Sequence, residues 1–106
     1  MSLSTHVLDA VSGIPAAAVS VTLTAAGGEV LARAVTDDDG RIATLGDDLH
    51  AGVYRLTFDT AAYFAATGTP AFYPEVVIAF EITDPQAHHH VPLLLSPYAY
   101  STYRGS

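Results

Sequence analysis

Apolar and polar residues alternate with a period of two along most of the chain. Val19, Val21 and Leu23 alternate with Ser20, Thr22 and Thr24, the pattern of a strand with one face in a core and the other toward water. Gly27-Gly28 can supply the positive φ angles of a tight turn, and Val30 to Thr36 returns as the partner strand. Asp37-Asp38-Asp39-Gly40 marks a turn, followed by Arg41 and a short Ile42–Leu45 segment. Gly46 to Gly52 is a loop. Val53 to Phe58 is the next strand, with Tyr54, Leu56 and Phe58 on one face and Val53, Arg55 and Thr57 on the other. Val76, Ile78, Phe80 and Ile82 alternate with Val77, Ala79, Glu81 and Thr83 before the Asp84-Pro85 turn. His88 to Leu95 reads as extended, Ser96-Pro97 turns the chain, and Tyr98 to Tyr103 forms a last strand.

One segment departs from this period. Asp59 and Thr60 are good N-caps, and Ala61 to Ala66 with Gly68 beyond predicts a short helix that stops at glycine. So short a helix is marginal alone and must pack on a sheet. The expected fold is all-β, a two-sheet β-sandwich of seven or eight short strands with one small helix. With no repeat, linker or low-complexity tract, a single domain is expected over residues 1–106.

Composition narrows the function classes. Lysine is absent, and the four arginines Arg33, Arg41, Arg55 and Arg104 stand against eleven carboxylates for a formal charge of -7. Nucleic-acid binding needs a basic patch that this chain cannot supply, and anionic membrane surfaces are disfavoured for the same reason. No apolar run approaches the ~20 residues of a membrane span, and no secretory signal precedes the patterned sequence. The expectation is a soluble cytoplasmic protein. Without cysteine, reactive groups must come from His, Asp, Glu, Ser, Thr or Tyr.

Histidine is the natural candidate, because its charge changes near neutral pH. Three of the five are consecutive. In a strand His88 and His90 share a face with Pro92 and Leu94, and His89 points to the other with Val91 and Leu93. Two imidazoles at i and i+2 can chelate a metal; a solvated strand start, or one functional histidine with two bystanders, are the other readings. His6 shares a face with Ser4 and Leu8, where a structural role competes with a chemical one. His50 lies in an acidic loop and reads as solvated. Arg41 reads first as a surface charge answering Asp37 to Asp39. Tyr103-Arg104-Gly105-Ser106 places a hydroxyl, a guanidinium and a ring beside a chain end, and Tyr98, Tyr100 and Tyr103 make that segment too aromatic for a frayed tail.

Whole motifs then carry a resemblance. Leu3-Ser4-Thr5-His6-Val7-Leu8-Asp9, with Gly13 and Pro15 following, is similar to the opening of the transthyretin-like family. Asp39-Gly40-Arg41, Gly52-Val53-Tyr54, Tyr73-Pro74-Glu75-Val76 and His90-Val91-Pro92-Leu93-Leu94-Leu95-Ser96-Pro97 resemble its later blocks. Tyr103-Arg104-Gly105-Ser106 resembles the tetrapeptide of its enzyme branch, the hydroxyisourate hydrolases. The hormone carriers of the family have lysine where His6 stands and lack that tetrapeptide, so the chain sides with the enzymes. A small-ligand carrier is the alternative, and a His-dependent metal-binding module a third. One departure stands out: the hydrolase pattern reads His-Tyr-His before Val-Pro, and here the middle residue is His89, which alternation points away from His90.

The resemblance implies a transthyretin-like sandwich that opens the lactam ring of 5-hydroxyisourate to 2-oxo-4-hydroxy-4-carboxy-5-ureidoimidazoline in urate catabolism. It implies no metal and no cofactor. Catalytic positions carry over to His6, Arg41, His90 and Ser106, with Arg41, Tyr103, Arg104, Gly105 and Ser106 binding substrate. A homotetramer, a dimer of dimers with sites at the interface between dimers, is implied as well. These residue types suit the chemistry. Opening a lactam needs an activated water, a stabilised oxyanion and a proton for the departing nitrogen. Histidine, with an ordinary pKa of ~6.5, can move that proton, and arginine can hold the oxygens bidentately.

Overall fold

The computed structural model describes residues 2–106, which form nine strands and one helix. The strands are β1 (Ser2–Asp9), β2 (Ile14–Pro15), β3 (Ser20–Ala25), β4 (Val30–Val35), β5 (Arg41–Ile42), β6 (Gly52–Phe58), β7 (Val76–Ile82), β8 (His88–Leu95) and β9 (Tyr100–Thr102). The helix, α1 (Thr60–Ala66), lies between β6 and β7. One sheet runs β4-β3-β6-β7, antiparallel throughout. The other runs β2-β1-β8-β9, with β5 sharing the β2 edge of β1. The all-β, two-sheet sandwich with one short helix is therefore as expected, with nine strands where seven or eight were expected.

The inner faces follow the alternation. Val21 and Leu23 of β3, Tyr54, Leu56 and Phe58 of β6, and Val76, Ile78 and Ile82 of β7 pack against Leu3 and Val7 of β1 and Val91, Leu93 and Leu95 of β8. Helix α1 starts where the Asp59 carboxylate accepts from the Ala62 N–H, and it buries Phe64. The Tyr63 hydroxyl donates to Asp9 at 2.8 Å, tying the helix to the end of β1.

Besides shifts of one residue at several strand ends, three elements differ from the sequence reading. Of the Ile42–Leu45 segment only Ile42 is strand, forming the two-residue β5 with Arg41 before it. The last strand is shorter than Tyr98–Tyr103, because the Ser96 N–H bonds the Ala99 carbonyl in a turn and pairing with β8 begins at Tyr100. Strand β2 has no alternating run; it exists because Pro15 and Ile14 pair with Leu8 and Asp9.

What positions the site is the central pair of the second sheet. Strands β1 and β8 run parallel in a continuous register, Ser2 opposite His88, Ser4 opposite His90 and His6 opposite Pro92. The odd-numbered residues of β1 point into the core, so Ser4 and His6 share the outer face with His88 and His90.

Candidate active site

The Asp37–Arg41 turn delivers a guanidinium to this outer face. The Asp37 carboxylate accepts from the backbone N–H groups of Asp39 and Arg41, each at 2.9 Å, and its carbonyl accepts from Gly40 at 2.9 Å. Gly40 has φ +74°, and a Cβ there would collide with the Val7 carbonyl oxygen. Only glycine allows that approach, in which the Gly40 carbonyl accepts from the Val7 N–H at 2.7 Å. Arg41 is thereby set opposite His6 in the antiparallel pairing of β1 and β5.

His6 is anchored as well. Its Nε2 lies 2.9 Å from the Asp39 carbonyl, which can only accept, so that nitrogen carries the proton and Nδ1 is the free one in the neutral ring. His90 is held differently: its Nδ1 lies 2.7 Å from the Ser4 hydroxyl, and its carbonyl accepts from the Gly105 N–H at 2.9 Å. Burial pushes His90 below the ordinary imidazole value, and the nearby His88, Arg41 and His6 push the same way. The neutral ring, with its lone pair available, is the favoured form over more of the pH range.

Ser4, Thr5, Arg41, Ile42, Ala43, His88, His90 and Ser106 line one cleft of about 320 Å³. Three of the four catalytic positions expected from the motifs, Arg41, His90 and Ser106, thus line it together; His6 does not line it but is paired with Arg41 across β1 and β5. Gly105 lies against the His90 ring. Tyr103 and Arg104 go elsewhere: they line a second cleft of about 330 Å³ with Ile78, Phe80, His89, His90 and Thr102. Among the described residues, only His90 borders both clefts. His89 points inward and is 6% exposed, its Nδ1 donating to the Ala87 carbonyl at 3.1 Å.

Sequence reasoning leaves Ser4 and His88 without a catalytic role. Alternation places both on the outer face, but that they meet depends on a parallel pairing between residues 84 apart. Among the described residues, no three His, Cys, Asp or Glu side chains group closely enough to hold a metal ion, and no helix is long and apolar enough to cross a membrane.

Residues 3–105 match the model of the HIUase/Transthyretin family. A 5-hydroxyisourate hydrolase of Caulobacter vibrioides is 48% identical over 112 residues, covering 98% of this chain and 97% of that protein. The solved structure of the Klebsiella pneumoniae 5-hydroxyisourate hydrolase superposes with a TM-score of 0.92 at 46% identity, covering 100% of both chains. The transthyretin of Sparus aurata superposes with a TM-score of 0.90 at 36% identity, covering 98% of this chain and 96% of that one.

Proposed function

The chain belongs to the HIUase/Transthyretin family and is an enzyme of its 5-hydroxyisourate hydrolase kind, and from that premise we propose how its residues open the lactam ring. The observation that carries the reading is the convergence of His90, Arg41 and Ser106 on one cleft with His6 alongside. His90 is the principal base. Its lowered proton affinity supports this, as does the engagement of its Nδ1 by Ser4, which leaves Nε2 to face a water. Water oxygen attacks the lactam carbonyl carbon while its proton passes to Nε2. The resulting oxyanion is stabilised by the Arg41 guanidinium, whose fork also holds the flat, oxygen-rich substrate. The ring C–N bond then breaks, and His90 returns the proton to the departing nitrogen. His6 and Ser106 position the water, and Gly105 lets the chain end approach His90. The product is 2-oxo-4-hydroxy-4-carboxy-5-ureidoimidazoline. Tyr103 and Arg104 bind at the rim, since His90 borders their cleft too.

A homotetramer, a dimer of dimers, belongs to the same reading, supported by the open outer edges of β7 and β9 and by exposed Phe72, Tyr98 and Tyr100. Analytical ultracentrifugation tests it, and a monomer at micromolar concentration would refute it. A cytoplasmic location is proposed on the family reading. The activity test is the decay of 5-hydroxyisourate absorbance after urate oxidase generates it. A hydrolase speeds that decay in proportion to its concentration; a small-ligand carrier leaves the spontaneous rate unchanged.

A further inference from the structure

The two outer-face histidines of β8 are joined through a single hydroxyl. Ser4 Oγ lies 2.9 Å from His88 Nε2 and 2.7 Å from His90 Nδ1, and the Ser2 hydroxyl hydrogen-bonds His88 Nδ1 in turn. The two rings are nearly parallel, 17° between planes, with centroids 6.4 Å apart, a gap the Ser4 hydroxyl bridges. Ser4 is buried at 8% exposure, whereas His88 is exposed. Hydroxyl and imidazole therefore alternate from the half-buried base to the solvent.

From this geometry we propose that His88, acting through Ser4, is a positioning and proton-relay residue for His90. The inference deepens the hydrolase reading and rests on it. One serine proton cannot serve two acceptors, so the chain of bonds has two self-consistent directions. In one, His90 Nδ1–H donates to Ser4, the Ser4 hydroxyl donates to His88 Nε2, and His88 Nδ1–H donates to Ser2. That direction alone leaves His90 Nε2 bare, as a base must be. His88 selects it by offering Nε2 as an acceptor, and so holds the tautomer of His90 as well as its orientation.

The chemistry also needs an exit for a proton. Hydrolysis of a lactam forms a carboxylic acid, ionised near neutrality, and frees a nitrogen that is part of a ureido or imidazoline group and does not take up a second proton. One proton per turnover must leave. Having returned the first proton to the departing nitrogen, His90 takes the second, from the new carboxylic acid, at Nε2 and gives its Nδ1 proton to Ser4 as the Ser4 proton passes to His88 Nε2. His88 then releases its Nδ1 proton at the surface, and the bonds end reversed. When product leaves, the exposed end regains a proton, which passes back along the bonds to His90 Nδ1, and the ring so charged gives its Nε2 proton to water in the emptied cleft, restoring the starting direction with a net loss of one proton. The other groups facing His90 are His6 of β1, Arg41 of β5, the Gly105–Ser106 segment and, in the second cleft, Glu81 of β7 with Tyr103 and Arg104; among the described residues none of these bonds its Nδ1.

Replacement of His88 by glutamine, which keeps a polar side chain but carries no exchangeable ring proton, tests this. His88→Gln is expected to lower kcat at least about tenfold with KM within about twofold. The acid limb of its kcat/KM profile should shift, and histidine-selective NMR of the free protein should show His90 losing its Nδ1–H preference. Ser4→Ala should do the same, and Ser4→Thr, which restores the hydroxyl, should recover most of the rate. If His88→Gln keeps the parent kcat, pH profile and His90 tautomer while the parent accelerates substrate decay, the relay is refuted and the hydrolase reading stands. If the parent protein itself gives no acceleration, the hydrolase reading fails and the relay with it. The NMR comparison would then still decide whether His88 sets the His90 tautomer.

Discussion

The backbone of Gly105 lies directly against the imidazole of His90, so closely that a Cβ at position 105 would collide with Cδ2 and sit 3.1 Å from Cγ. The same residue bonds the His90 carbonyl through its N–H at 2.9 Å. Gly105→Ala must therefore push the ring or the chain end aside. A displacement near 1 Å at a reacting group costs on the order of 10²-fold. We expect kcat/KM for 5-hydroxyisourate to fall by at least about tenfold with the melting temperature nearly unchanged, because no core residue is touched. Parent activity in the Gly105→Ala variant would show that this contact does not hold the site.

His6→Ala, Arg41→Ala and His90→Ala should each lower kcat/KM by at least ~10²-fold, equivalent to ~2.7 kcal/mol of transition-state stabilisation. Single-turnover measurements separate the roles: Arg41→Ala should weaken binding as well as chemistry, and His90→Ala chemistry alone. Parent-like activity in any one would remove that residue from the mechanism.

The lowered proton affinity of His90, caused first by burial and then by His88, Arg41 and His6, sets a pH dependence. A base works when neutral, so the acid limb of kcat/KM should lie below the ordinary histidine value of ~6.5. The same shift makes the unfolded chain bind the proton more readily than the folded one. Its contribution to stability is thus complete above ~6.5 and falls away as pH drops through the folded value. Arg41→Gln should move the acid limb upward; an unmoved limb would show that the guanidinium does not act on His90.

Gly40→Ala forces a side chain into left-handed backbone and against the Val7 carbonyl oxygen. A loss of ~1–3 kcal/mol in denaturant unfolding is expected, together with reduced activity, because β5 carries Arg41. Asp37→Ala removes two hydrogen bonds in the same turn and should cost about 1 kcal/mol. Unchanged stability in both variants would show that the turn is not held by these contacts.

The Asp9–Tyr63 bond ties α1 to β1 with a pH signature of its own. Burial alone would raise Asp9, but hydrogen bonds from Ser12, Tyr63 and Val11 outweigh it and hold the carboxyl below 3.8. Burial, then the bond and charge of Asp9, pushes the Tyr63 hydroxyl up to about 12. The Asp9 contribution to stability is present above its ordinary value and lost as pH falls through the folded one. The Tyr63 contribution is present below its ordinary 10.0 and lost as pH rises toward about 12. Tyr63→Phe should cost about 1 kcal/mol at neutral pH and flatten the loss above pH 10, read from melting temperature against pH. A Tyr63→Phe variant with the parent's pH profile would break this assignment.

Strands, turns and helix were legible from local pattern: the period-two runs of β3, β6 and β7, the Asp59 cap, and the Asp37–Gly40 turn all stand where side-chain chemistry puts them. So was the sharing of one face by His88 and His90 and of another by His6 and Ser4, since alternation follows from the pleat of a single strand, although which face turns outward was not. What alternation cannot specify is which strands become neighbours. Strand β2 has too few residues to show a period, and Tyr103 and Arg104 follow the last strand, where no period exists to aim them. Residue order alone thus implied a sandwich of short strands, a chain without a basic surface, and the histidines, arginine and terminal motif from which a hydrolase site could be assembled. Folding in three dimensions was needed to bring Ser4 to His90 across 86 residues, Arg41 to His6, and Gly105 to the His90 ring. It did so because strand pairing and register are settled by burying the inner faces of two sheets together, which no single strand's pattern encodes.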